Sequence, residues 1–124
     1  MKLILAIAVG GALGSVLRYF MALGVQTASG RPFPFGTLSV NVLGSFMIGL
    51  LYVWLLERTV ASAELRAFAF VGVLGGFTTF SAFSLETFNL IAQSAYGRAL
   101  AYVALSVIVC ISATWLGVAL GRQL

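Results

Sequence analysis

Hydroxyl, carboxamide and phenyl side chains recur in this chain at places where apolar sequence would otherwise run on. Thr37, Asn41 and Ser45 step by four residues along one segment, and Tyr102, Ser106, Cys110 and Thr114 keep the same step along another. That spacing places side chains on one helix face, so each set forms a polar track. A third stretch, Gly75-Gly76-Phe77-Thr78-Thr79-Phe80-Ser81-Ala82-Phe83-Ser84, mixes helix breakers, hydroxyls and rings. Hydroxyls donate or accept, and the Asn41 amide brings two N–H donors. Phenyl rings have a positive edge, and Phe77, Phe80 and Phe83 follow one another at three-residue intervals. These groups suit a small anion that is losing its water, whereas cation pores more often present rings of carboxylates or carbonyls. Plainer readings stand beside this one: Ser and Thr bond neighbouring helices or their own i−4 carbonyl, and phenylalanines at helical spacing pack in cores.

Three charges fall in or near the same segments: Arg18, Glu57 and Glu86. An ionised Arg or Asp at the centre of a membrane helix costs about 2.5–3.5 kcal/mol on insertion scales, so Arg18 and Glu86 are expected to face protein or water. Arg18 either draws anions into a vestibule or snorkels to the interface. Glu86 either hydrogen-bonds within the track or serves a proton relay.

The elements that carry these residues are membrane helices. Hydrophobic residues make up 61% of the chain and charged residues 8%, and the mean hydropathy is +1.10; these values lie outside the range of soluble domains. With about 20 residues needed per span, the 124 residues hold four helices, expected at about Leu3 to Val25, Gly36 to Leu56, Leu65 to Ala92 and Ala99 to Leu120, in one domain over residues 1–124. The third is expected to be broken near Gly75–Thr79, because each Gly costs a helix interior roughly 1 kcal/mol relative to Ala. Met1-Lys2 and the apolar run behind it read as a retained first helix rather than a cleaved signal, since apolar character resumes after Arg18 and reaches Val25.

Composition also excludes several classes. The net charge of +4 comes from scattered residues without a basic cluster, so nucleic acid is not an expected partner. One cysteine, Cys110, and no histidine rule out an internal disulfide and the usual zinc or iron ligand sets. No nucleophile and base pair or phosphate loop assembles from these residues, so no enzyme is expected. Small residues four apart (Gly10 and Gly14, Ser45 and Gly49, Gly72 and Gly76, Gly117 and Gly121) point to close helix packing and an oligomer. No internal repeat relates the two halves, so any symmetry must come from another copy. Loop charges are nearly balanced: Lys2, Arg58, Arg66 and Arg122 fall on one side, Arg31 and Arg98 on the other. The bias nominally places the termini inside and leaves insertion in both orientations open.

Three blocks carry a resemblance: Gly10-Gly11-Ala12-Leu13-Gly14-Ser15-Val16-Leu17-Arg18-Tyr19, Gly36-Thr37-Leu38-Ser39-Val40-Asn41-Val42-Leu43-Gly44-Ser45-Phe46, and Gly72 through Ser84. Together they resemble the signature blocks of the Fluc fluoride channel family, also called CrcB. The resemblance implies an all-α membrane protein of four transmembrane helices, assembled as an antiparallel dual-topology homodimer in a microbial plasma membrane, the inner membrane of a bacterium. It implies two fluoride pathways along the subunit interfaces, passing the ion passively down its gradient. Asn41 matches a pore asparagine, and Phe80 and Phe83 match phenylalanines whose ring edges line the path. Gly75 and Thr78 match residues whose backbone carbonyls hold a structural Na+ at the dimer centre. Arg18, Thr37, Ser81, Glu86, Tyr102 and Ser106 match polar positions of vestibule or pore, and Ser84 closes the hydroxyl-bearing stretch. Ala82 departs from the family, which commonly has threonine there, and Cys110 stands where the fourth-helix track would carry a hydroxyl. The competing expectation is a small proton-coupled multidrug or cation exporter that uses Glu86 as its carboxylate.

Overall fold

A computed structural model describes all residues 1–124. Four helices long and apolar enough to cross a membrane make up almost the whole chain: α1 Lys2–Ser29, α2 Phe35–Glu57, α3 Ala63–Ala92 and α4 Tyr96–Gln123. Each reaches as far as its expected span or a few residues beyond it. α1 stops at Gly30, whose left-handed backbone (φ 57°) is a conformation glycine adopts without cost, and the chain then bends through Arg31–Phe33, with Pro32 and Pro34 keeping it out of a helix until α2 begins. At the opposite end of the bundle, Arg122 of α4 pairs with Glu57 at 2.6 Å, and Arg58 donates to the Arg122 carbonyl at 2.9 Å. These contacts hold the ends of α2 and α4 together.

The small residues expected to mediate close packing do so inside the chain. α1 lies against the first half of α3, where a Cβ on Gly10 would meet the Phe68 carbonyl at 2.6 Å and one on Gly76 would meet the Gly11 carbonyl at 2.6 Å. α2 lies against α4 in the same way, with Gly49 against the Thr114 carbonyl and Gly117 against the Phe46 carbonyl. Only 20 of 124 residues are buried, so these two backbone-to-backbone seams, rather than a large core, hold the bundle. Most apolar side chains face outward, as suits helices solvated by lipid or covered by another chain.

α3 is broken, but not by its glycines. Gly75–Phe77 remains helical; the chain becomes extended at Thr78 (ψ 157°) and Thr79 (φ −152°), and helix resumes over Phe80–Ala92. The break lies within the expected Gly75–Thr79 stretch, at its threonine end. Gly76 provides the close approach to α1, while the break falls at the two threonines, where another helix hydrogen-bonds both backbone groups of Thr79. The break also splits the expected row of phenylalanines: Phe77 turns into the core, whereas Phe80 is 78% exposed. Beyond the break α3 leaves α1 and packs on α4, which opens a groove between α1, the start of α2 and the second half of α3.

Candidate functional site

Asn41 of α2 reaches across to the break and binds one residue twice. Its Oδ1 accepts the Thr79 amide at 2.8 Å, and its Nδ2 donates to the Thr79 carbonyl at 3.0 Å. One N–H of the amide is therefore committed to the backbone and one remains, where two free donors were expected. The Thr79 hydroxyl caps the second half of α3 by accepting the Ala82 amide at 3.1 Å. These two diversions have a common consequence. In a continuous helix the amides of Thr79 and Ala82 would bond the carbonyls of Gly75 and Thr78; here both go elsewhere and leave those carbonyls available. Thr78 itself is fixed by its amide and its hydroxyl, each donating to the Leu74 carbonyl at 2.9 Å.

One turn and more beyond the break, Glu86 joins three helices. Thr37 Oγ1 donates to its Oε1 at 2.7 Å, and Tyr102 Oη donates to its Oε2 at 2.6 Å. Tyr102 has no exposed surface, and Phe83 packs on it with centroids 5.2 Å apart. Phe80 extends this row outward, 5.3 Å from Phe83. No other part of the chain covers the Phe80 ring. Ser106, one helical turn below Tyr102 on α4, is buried and its hydroxyl has no hydrogen-bond partner. That is uncommon for a buried donor.

The groove has a volume of about 620 Å³, and Arg18, Thr37, Thr79 and Glu86 are among the residues that line it. Arg18 is half-buried there and forms no ion pair; the chain's one salt bridge lies at the other end of the bundle. An unpaired guanidinium in a low-dielectric cleft raises the local concentration of anions. Ala82 lines the same wall.

The structure thus brings Arg18, Thr37 and Glu86 into one cleft, with Tyr102 bonded to Glu86 and Asn41 bonded to Thr79 on the same wall. Phe80, Ser81, Ser84 and Gly75 are exposed on the chain's outer surface instead. Ser81 Oγ lies 3.3 Å from the Thr79 hydroxyl, while Ser84 Oγ donates to the Phe80 carbonyl at 3.0 Å, the plainer of the two readings offered by its sequence. Cys110 is half-buried, and its carbonyl accepts the Thr114 hydroxyl at 3.2 Å. No three His, Cys, Asp or Glu side chains come together in a group. Sequence reasoning passed over Thr79 and Gln26, which also lines the groove. The signal for Thr79 was a threonine directly before a helix restart; for Gln26 it was a lone carboxamide in the last turn of an apolar helix.

A family model described as CrcB-like protein, Camphor Resistance (CrcB), matches residues 5–118. The chain belongs to the CrcB family. It is 51% identical over 124 residues, the full length of both chains, to the Fluoride-specific ion channel FluC of Geobacter sulfurreducens. It is 48% identical over 118 residues to the protein of that name from Agrobacterium fabrum, covering 95% of this chain and 94% of the relative. The corresponding protein of Caulobacter vibrioides is 47% identical over 124 residues, with 99% and 98% covered. In this CrcB protein the matched range takes in the groove, the break and the three-helix cluster around Glu86.

Proposed function

We propose that this CrcB protein is a passive, fluoride-selective ion channel that spans the bacterial plasma membrane several times and lets fluoride leave the cell, limiting its toxicity. The observation that carries this reading is the broken α3: its break, clamped by Asn41, lies at the wall of a groove that holds an unpaired Arg18, and Phe80 and Phe83 stand side by side just beyond it. The full-length likeness to fluoride-specific channels makes the anion fluoride; the donors alone specify only a small anion.

Fluoride is compact and strongly hydrated, so a pathway must replace lost water with donors. Arg18 concentrates anions in the groove. The hydroxyls of Ser81 and Ser106, the second N–H of Asn41 and the ring edges of Phe80 and Phe83 succeed it along the path. Thr37 and Tyr102 each donate their O–H to one oxygen of Glu86, which blunts the carboxylate's repulsion of an approaching anion. Ser84, hydrogen-bonded to its own helix, flanks the path. A channel performs no covalent chemistry, and the protein is not an enzyme.

The working unit in this proposal is an antiparallel, dual-topology homodimer with two pathways, set in membrane lipid. It is supported by the exposed Phe80, which needs a second copy to enclose it, and by the near-balanced loop charges. A structural Na+ at the dimer axis fits the residues present. Gly75 and Thr78 each offer a carbonyl freed from the helix, and oxygen ligands suit a hard cation; two copies would double the set. A Glu86-based exporter finds no support among the relatives. Fluoride efflux from proteoliposomes run on the fluoride gradient alone tests the function: transport without a proton gradient is expected, and a strict requirement for one would overturn the proposal.

A further inference from the structure

Gln26, in the last turn of α1, makes more connections than any other side chain in the molecule. Its Nε2 donates to the carbonyls of Arg31 at 2.9 Å and Phe33 at 3.1 Å, and its Oε1 accepts the Gly36 amide at 3.1 Å. Its own carbonyl accepts the Gly30 amide at 3.2 Å and the Ser29 hydroxyl at 2.9 Å. The partners fix the sense of the carboxamide, because the nitrogen meets two carbonyls and the oxygen meets an N–H. The first turn of any helix has amides without partners. Pro34, at the cap position of α2, has no side chain able to satisfy one, so Gln26 caps α2 from α1.

The connection it grips forms one wall of the groove: Pro32, Phe33 and Pro34 line it together with Gln26. Phe33, whose carbonyl Gln26 holds, stands edge-on to Tyr102, with centroids 5.6 Å apart and planes at 83°. Tyr102 in turn donates to Glu86. One chain of contacts therefore runs from Gln26 through Phe33 and Tyr102 to the carboxylate.

We propose that Gln26 is a positioning residue for ion capture: it locks the α1–α2 connection as the mouth of the groove and, through Phe33, holds Tyr102 and Glu86 in place. The proposal rests on the channel reading for its effect on transport, though not for its effect on the connection. The residue touches no ion. Releasing it loosens the wall that delivers the ion to the Glu86 cluster while leaving the Asn41 clamp and the phenylalanine row intact. Capture should suffer more than the maximal rate.

The test uses the purified full chain in proteoliposomes, with initial fluoride efflux measured across fluoride concentrations. Gln26→Met is expected to slow efflux by about tenfold at low fluoride, a size typical of coupling within one contact network, and to approach the parent rate at high fluoride. Phe33→Leu should reproduce that split, and the double variant should be no worse than either single one. Loss of equal size at all concentrations, or additive losses in the double variant, would overturn the proposal. If Gln26→Met does not fold, Gln26→Glu replaces it: that change keeps the acceptor for Gly36, sets a carboxylate oxygen against the Arg31 and Phe33 carbonyls, and is read by amide exchange, since its added charge would itself repel an anion. Amide exchange at residues 30–36 provides a readout independent of transport: selective acceleration is expected, and unchanged exchange contradicts the proposal. Failure of the parent chain to pass fluoride would count against the channel reading alone, because the exchange result would still decide whether Gln26 holds the connection.

Discussion

The Asn41 carboxamide and the Thr79 peptide group face each other as a reciprocal pair, Oδ1 accepting at 2.8 Å and Nδ2 donating at 3.0 Å. A single side chain thereby satisfies both backbone groups of Thr79 at the interruption of α3. Unsatisfied backbone groups at membrane depth cost several kcal/mol each, so the break exists where Asn41 permits it. Asn41→Asp keeps the acceptor and loses the donor, setting a carboxylate oxygen against the Thr79 carbonyl. Fluoride efflux in liposomes should fall by at least about tenfold, given that a buried hydrogen bond left unmade costs roughly 1–3 kcal/mol. Asn41→Asp with parental efflux would show that the clamp is dispensable.

Phe80 and Phe83 should differ in stability while agreeing in function. Phe80 is largely uncovered within its own chain, so Phe80→Ile should leave the fold of the subunit intact, and any fall in the unfolding midpoint of the assembled protein in detergent should report the Phe83 pair and the proposed second copy over the ring. Phe83 packs on Tyr102, and Phe83→Ile forfeits an aromatic pair of about 0.5–1.5 kcal/mol, which should lower the midpoint measurably. Both should cut fluoride efflux severely in protein that still elutes as the assembled species. Unchanged efflux in both variants would remove the rings from the pathway.

Glu86 separates the channel from the exporter. With Thr37 and Tyr102 both donating to it, the carboxylate is expected to serve as a fixed acceptor rather than a shuttle. Fluoride efflux through the parent chain should be indifferent to an imposed proton gradient, and Glu86→Gln should keep that indifference whatever its rate. A proton gradient that accelerates the parent but not Glu86→Gln would indicate coupled transport.

The α2–α4 seam allows a structural prediction. A side chain on Gly117 would run into the Phe46 carbonyl, and overpacking of a close contact typically costs 1–3 kcal/mol. Gly117→Leu should therefore reduce the yield of monodisperse protein and lower its unfolding midpoint, whereas Gly97→Ala, at a position with nothing within 4 Å, should leave both unchanged. Equal behaviour of the two variants would mean that the seam does not limit stability.

Much of the fold was legible because lipid imposes one rule on every span: apolar length. The two polar tracks were legible from their four-residue step. The break was legible to within Gly75–Thr79 but not to the residue, because glycine propensity favours the start of that stretch while the deciding partner, Asn41, lies 38 residues away. Likewise Glu86 finds Thr37 across 49 residues and Tyr102 across 16; periodicity places each on a helix face but says nothing of which faces meet. Phe77 looked equivalent to Phe80 and Phe83 because three-residue spacing assumes a continuous helix, and the extended pair Thr78-Thr79 rotates it into the core. Gln26 was missed for a related reason: its importance lies in the Pro-rich connection it grips, and no pattern in α1 announces it.

Fluoride-driven efflux from proteoliposomes, recorded beside chloride efflux from the same preparation, tests the central claim most directly. The account predicts rapid, electrogenic fluoride release on the fluoride gradient alone, with chloride retained. Correctly assembled protein that passes neither ion, or passes chloride as readily as fluoride, would contradict it.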